Sequence, residues 1–217
     1  MKDKNQLGIE AMQKGQLEEA AKLFTEAIEE NPNDPVLYIN FGNLLSAIQE
    51  NENALKFYSK AAELDENAAT AYYGQGTIYY EKENYAESAR QFQKAIQKGL
   101  DHADAFYMLG MSFMQAGSPK LAAPYLQRAT EMNEEDTEAR FQFGLSLASS
   151  ESYKEAIEQL ETVVLQDEEH ADAWYNLGVC FLYQNDPEKA LEMFEKAVSA
   201  DPGHLLALNG VKSVKEQ

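Results

Sequence analysis

Apolar residues recur along this chain in steps of three and four, and the whole pattern then repeats at a longer interval. Between residues 173 and 181, Trp174, Leu177, Gly178 and Phe181 fall at i, i+3, i+4 and i+7, which is one face of an α-helix. A second stripe follows in Ala190, Phe194 and Ala197, spaced i, i+4, i+7. Both stripes return every 34 residues. Gly8, Gly42, Gly76, Gly110, Gly144 and Gly178 mark the first. Three columns mark the second: Ala20, Ala54, Ser88, Ala122, Ala156 and Ala190; Phe24, Tyr58, Phe92, Leu126, Leu160 and Phe194; and Ala27, Ala61, Ala95, Ala129, Val163 and Ala197.

The pattern predicts two amphipathic helices per repeat, A and B, in six repeats spanning 1–34, 35–68, 69–102, 103–136, 137–170 and 171–204. Residues 205–217 keep Ala207, Leu208 and Val211 in register and then turn polar, so they read as a C-terminal capping helix. A helix-interior glycine costs about 1 kcal/mol relative to alanine. Six of them on an apolar face imply that a Cβ there would hold the facing helix away. Ser118-Pro119, Asp186-Pro187 and Asp34-Pro35 each pair an N-cap residue with proline at the first helical position. Pro32 and Pro202 lie just beyond a helix B, whereas Pro124 falls inside one and predicts a local kink.

Composition narrows the class of partner. Of 217 residues, 44% are hydrophobic, enough for an ordered core. Asp plus Glu number 37 against 18 Lys plus Arg, a net charge of −19. Such a field repels phosphate backbones and anionic lipid, which argues against nucleic-acid or membrane partners and favours neutral or basic ones. A single cysteine, Cys180, allows neither an internal disulfide nor a thiolate metal cluster. The N-terminal segment has no apolar secretory core, and no apolar run is long enough to cross a bilayer; the expected location is cytoplasmic. No phosphate-binding glycine loop, zinc-protease motif or nucleophile elbow is present, so the reading is a non-enzyme with no cofactor, no metal site and no catalytic residues. His102, His170 and His204 each end a repeat, and they read as turn residues rather than metal ligands.

The columns, and above all AWYNLGVCFLYQNDPEKALEMFEKAVSADP (173–202), resemble the tetratricopeptide repeat (TPR) family over essentially the whole chain. Its motif is an aromatic, Leu-Gly, Tyr, then Ala, Phe, Ala and a late Pro. Lys4 and Arg140 depart from it at the aromatic position, and the late Pro survives only at Pro32 and Pro202. The resemblance implies an all-α, right-handed superhelical solenoid of antiparallel helix pairs, with helices A lining a concave groove that binds a peptide or protein segment. The groove residues it implies are Asn40, Asn43, Tyr73, Thr77, Tyr107, Met108, Met111, Arg140, Phe141, Tyr175 and Asn176. Rigid aromatics and adaptable methionines suit apolar anchors, and the Asn side chains can pair with a ligand's backbone. Arg140 either reaches a ligand carboxylate or carbonyl or, slightly favoured, pairs with an acidic neighbour such as Glu138 or Asp172 or stacks on an aromatic. The family's carboxylate clamp for chaperone tails maps onto Asn5, Ile9, Asn40, Thr70 and Gly74; its cations are missing, which argues against that ligand. The function expected is therefore a protein-interaction adaptor. The alternative is a self-associating scaffold acting through its convex face or its ends.

Overall fold

The computed structural model describes residues 3–216; residues 1, 2 and 217, at the outer ends of the first repeat and of the capping helix, lie outside the described residues. Thirteen α-helices and no strands occur among them. They form two units. The first, up to Asp101, holds α1 (Lys4–Gln13), α2 (Leu17–Glu30), α3 (Pro35–Ala47), α4 (Asn51–Leu64), α5 (Ala69–Glu81) and α6 (Tyr85–Gln97). The second, from His102, holds α7 (Ala103–Gln115), α8 (Pro119–Met132), α9 (Thr137–Ser149), α10 (Tyr153–Gln166), α11 (Ala171–Tyr183), α12 (Pro187–Ala200) and α13 (Leu205–Lys215). Odd-numbered helices up to α11 are the A helices, even-numbered ones the B helices. Helix α8 runs through Pro124 to Met132.

Each helix A packs on its own helix B, and each B on the next A within its unit. The glycine column explains how closely A and B approach. A Cβ on Gly8, Gly42, Gly76, Gly110, Gly144 or Gly178 would lie 2.5–3.0 Å from the ring or side chain of Phe24, Tyr58, Phe92, Leu126, Leu160 or Phe194 of the partner helix. Burying each of these large side chains contributes roughly 1.5–3 kcal/mol, so the six contacts set the A–B spacing and carry much of the core. Ser88 replaces alanine in its column without leaving a buried polar orphan: its Oγ donates to the Gly76 carbonyl at 2.9 Å.

The turns repeat as strictly as the core. The fifteenth residue of every repeat is left-handed: Gly15, Gln49, Glu83, Gly117, Glu151 and Asn185 all have φ between 57° and 73°. Between B and the next A, the amides of Asn67, Glu169 and Gly203 donate to the carboxylates of Asp65, Asp167 and Asp201, two residues back.

Within each unit the A helices touch one another: α1 with α3 and α3 with α5; α7 with α9, α9 with α11 and α11 with α13. No two B helices make contact among the described residues. Rows that meet on one side and splay on the other are curved, so within each unit the A wall is the concave side. Helix α13 continues that wall. Gly210 meets Phe194 as Gly74 meets Tyr58, with a Cβ placed 2.9 and 2.4 Å from the ring respectively. Lys212 falls 34 residues after Gly178, and there an exposed lysine replaces glycine because no helix B lies against it among the described residues.

Candidate functional site

The A wall of the first unit carries a hollow of about 300 Å³ lined by Ile9, Met12, Gln13, Phe24, Asn40 and Asn43. Ile9, Met12 and Phe24 make its floor apolar. Asn40 and Asn43 sit one helical turn apart on α3, so both amides face the same side. Asn40 Nδ2 donates to Asn5 Oδ1 at 2.9 Å, and the Tyr58 hydroxyl donates to Asn43 Oδ1 at 2.8 Å. These bonds hold one atom of each amide, and among the described residues they leave the Asn40 oxygen and the Asn43 nitrogen unpaired. Burial holds the Tyr58 phenol up at about 12, so the hydroxyl stays a donor. Further along the same wall, Tyr73 meets Phe92 edge-on at 5.3 Å, and the Thr77 hydroxyl donates to the Tyr73 carbonyl at 3.2 Å.

The second unit treats its columns differently. Tyr107 and Met111 are half-buried against Ala122, Leu126 and Phe143, and Met108 is half-buried beside them. Phe141 is only 7% exposed, with its ring 4.5 Å from His170 and its side chain in the core with Leu160 and Leu177. Tyr175 lies between Phe194 at 5.7 Å and His204 at 5.2 Å. The Asn176 amide donates to the Asp172 carbonyl at 2.7 Å. His170 and His204 also accept from the amides of Ala173 and Ala207, capping α11 and α13. No cluster of His, Cys, Asp or Glu suited to a metal ion occurs among the described residues. Cys180 is fully buried, and burial pushes its thiol up to about 11, far from a reactive thiolate.

Arg140 pairs with neither Glu138 nor Asp172, and no aromatic stacking is found for it among the described residues. Its guanidinium donates to Gln159 Oε1 at 3.1 Å and to the Glu134 carbonyl at 3.2 Å. The reason is its place in the repeat. At the equivalent position, Tyr38 donates to the Pro32 carbonyl and Trp174 to the Glu168 carbonyl, both at 2.9 Å. Three different side chains thus tie the start of a helix A to the carbonyl six residues back. At three of the four aromatic positions a cation from helix B covers the ring: Lys94 over Tyr72, Arg128 over Phe106 and Lys196 over Trp174, at 5.4, 5.9 and 4.7 Å. In the first repeat the charges swap: Lys4 bridges Glu26 and Glu30 at 2.7 and 2.9 Å, and those bonds raise its ammonium to about 12. Both departures from the aromatic column are therefore alternative ways of fastening the same joint.

Tetratricopeptide repeat profiles match residues 11–74, 73–137, 107–150 and 141–204. The chain belongs to the tetratricopeptide repeat family. A solved structure of YrrB, described as a TPR protein with an unusual peptide-binding site, is 54% identical and superposes with a TM-score of 0.86 over 88% of this chain and 99% of that one. The curated TPR repeat-containing protein YrrB of Bacillus subtilis (strain 168) is 58% identical over 41 residues, 19% of this chain and 20% of that one. MamA shares the fold at 21% identity, with a TM-score of 0.72 over 77% of this chain. The TPR solenoid makes this chain a protein-interaction module in the general sense of its family. No described helix is long and apolar enough to cross a membrane.

Proposed function

We propose that the chain is an adaptor that holds a segment of a partner protein against its A helices, anchored in the first unit's hollow. The observation that carries this reading is the pairing of an apolar lining (Ile9, Met12, Phe24) with two amides each held through one atom, Asn40 and Asn43. One apolar side chain of the ligand fills the hollow, while the amides pair with the backbone on either side of it. An amide offers both a donor and an acceptor, so this grip asks for an apolar anchor and little further sequence. Tyr73 and Thr77 extend the wall in the same unit; Tyr107, Met108, Met111, Tyr175 and Asn176 form the wall of the second, where Arg140 and Phe141 serve the scaffold. The net charge of −19 favours neutral or basic ligands. The peptide-binding site described for YrrB supports the same class of ligand, and the reading needs no cofactor, metal or catalytic group. A location in the cytoplasm fits the buried, reduced Cys180.

The test is to select binders from a display library of short unstructured peptides and titrate the best against the chain and against a Met12→Asp/Asn43→Ala variant. The variant is expected to bind about 2 kcal/mol more weakly and to melt lower but cooperatively, since Asn43→Ala removes the acceptor of the buried Tyr58 hydroxyl and Met12 packs against the core. Equal affinity in a folded variant rejects the hollow as the anchor. A second reading, self-association through an end, has one observation behind it: Leu205, Leu206 and Leu208 of α13 are 74%, 58% and 42% exposed. Light scattering across a concentration series decides it, because a mass that stays monomeric leaves those leucines without a self-partner.

A further inference from the structure

We infer a second docking site on the second unit, away from the A wall, for a segment that places an apolar residue between arginines or lysines. A hollow of about 530 Å³ opens where α10, the turn after it, α11 and α12 meet. Its apolar surface comes from Val164, Leu165, Ala200 and the face of Trp174, and its carboxylates from Glu168 and Glu169. Leu165 is 82% exposed, the most exposed large apolar side chain described, and nothing in the fold uses it.

The Trp174 ring is held rigidly: its Nε1 donates to the Glu168 carbonyl at 2.9 Å, and Lys196 sits 4.7 Å from the ring centre. Lys196 is the one cation lining the hollow, and Glu192 neutralises it at 2.7 Å. What remains is an apolar cleft with two exposed acidic groups at its rim, on a chain whose whole field is acidic. Charge complementarity fixes the occupant: an aliphatic side chain in the cleft, flanked by cations that reach Glu168 and Glu169.

Trp174 is the single tryptophan of the chain, so its emission reports occupancy directly. The probe is a short glycine-rich peptide with one leucine between two pairs of arginines, followed by fluorescence and by calorimetry. Saturable binding is expected. At least tenfold weaker binding is expected for the same peptide with glycine in place of leucine, for Leu165→Ser, and for Glu168→Lys/Glu169→Lys. All three altered residues are exposed, so the variants keep their fold, as helical circular dichroism will verify. A charge-matched Glu19→Lys/Glu29→Lys variant of the first unit and the Asn43→Ala variant should bind as the parent does. Absence of saturable binding by both readouts overturns the proposal. So does equal weakening by the Glu19/Glu29 pair, or equal affinity for the leucine-free peptide, because either reduces the effect to diffuse attraction by net charge. Failure of the groove variant alone to bind selected peptides bears only on the first site.

Discussion

The A walls of the two units are built on one column plan and yet end up as different surfaces. In the first unit, residues that close a repeat are small or turned to capping. Asp34 caps α3 through the Val36 amide, and Ala68 has no side chain to lend. The fifth residues of the first two repeats, Asn5 and Ile39, are half-buried, and Ile9, Met12, Asn40 and Asn43 line the hollow beside them. In the second unit Asp136 caps α9 in the same manner, but His170 and His204 close the last two repeats, and each lays its ring over the fifth residue of its repeat, Phe141 and Tyr175. The same column is half-buried in the first unit, whereas in the second it is buried at Phe141 and half-buried at Tyr175. In a repeat protein, then, a column predicts position on the helix, and contacts from outside the helix, the closing turn among them, modify exposure.

The sharpest way to break this comparison is Phe141→Ala. If the ring is core, the loss is about 3 kcal/mol or more of stability, read by thermal or urea unfolding, with no change in the affinity of peptides held in the first unit. A near-native melt with weakened peptide binding would return Phe141 to the binding wall and remove the contrast. Next in size is the feature that both units share. Gly42→Val and Gly178→Val should each cost about 2 kcal/mol, because the added carbons meet Tyr58 and Phe194 at 2.7 and 2.5 Å. Unequal costs would show that the A–B contact is looser in one unit.

How far the sequence reaches follows from which contacts are set inside one repeat. The helix pairs, the glycine contacts and the burial of Phe24, Phe92, Leu126, Leu160 and Phe194 follow from period and face alone, and all were legible. Phe141 was not, because its cover comes from a turn residue whose ring direction no spacing encodes. Arg140 was not, because one partner is the Glu134 carbonyl, and backbone acceptors leave no mark in a column of side chains, while the other, Gln159, lies 19 residues away on the next helix. The Lys4–Glu26 swap did leave a mark: residues 26, 60, 94, 128, 162 and 196 form a column of Lys and Arg broken at Glu26, where the aromatic becomes Lys4, and at Thr162, where it becomes Arg140. Comparing the two columns would have joined them. Arg140→Ala should cost about 1 kcal/mol for its lost hydrogen bonds and leave peptide affinity unchanged. Arg140→Trp should recover part of that cost by donating to the Glu134 carbonyl as Trp174 does to Glu168.

The smallest expected effect tests whether the two units obey the same turn rule. Position fifteen is left-handed in all six repeats, yet only Gly15 and Gly117 are glycine. The pair was hidden in the sequence by Gln49, Glu83, Glu151 and Asn185, which tolerate the conformation at a cost of roughly 1–2 kcal/mol for most side chains. Replacing Glu83 or Glu151 with glycine removes that strain and adds back some entropy to the unfolded chain. The net gain should be about 0.5 kcal/mol at each site, measured as a small rise in the urea midpoint with an unchanged slope. Asn185→Gly should gain less, since asparagine already visits the left-handed region more readily than glutamate. A loss of stability at Glu83 with a gain at Glu151 would mean that the first unit's turn is held by more than its backbone angle. The two units would then differ in their joints as well as in their walls.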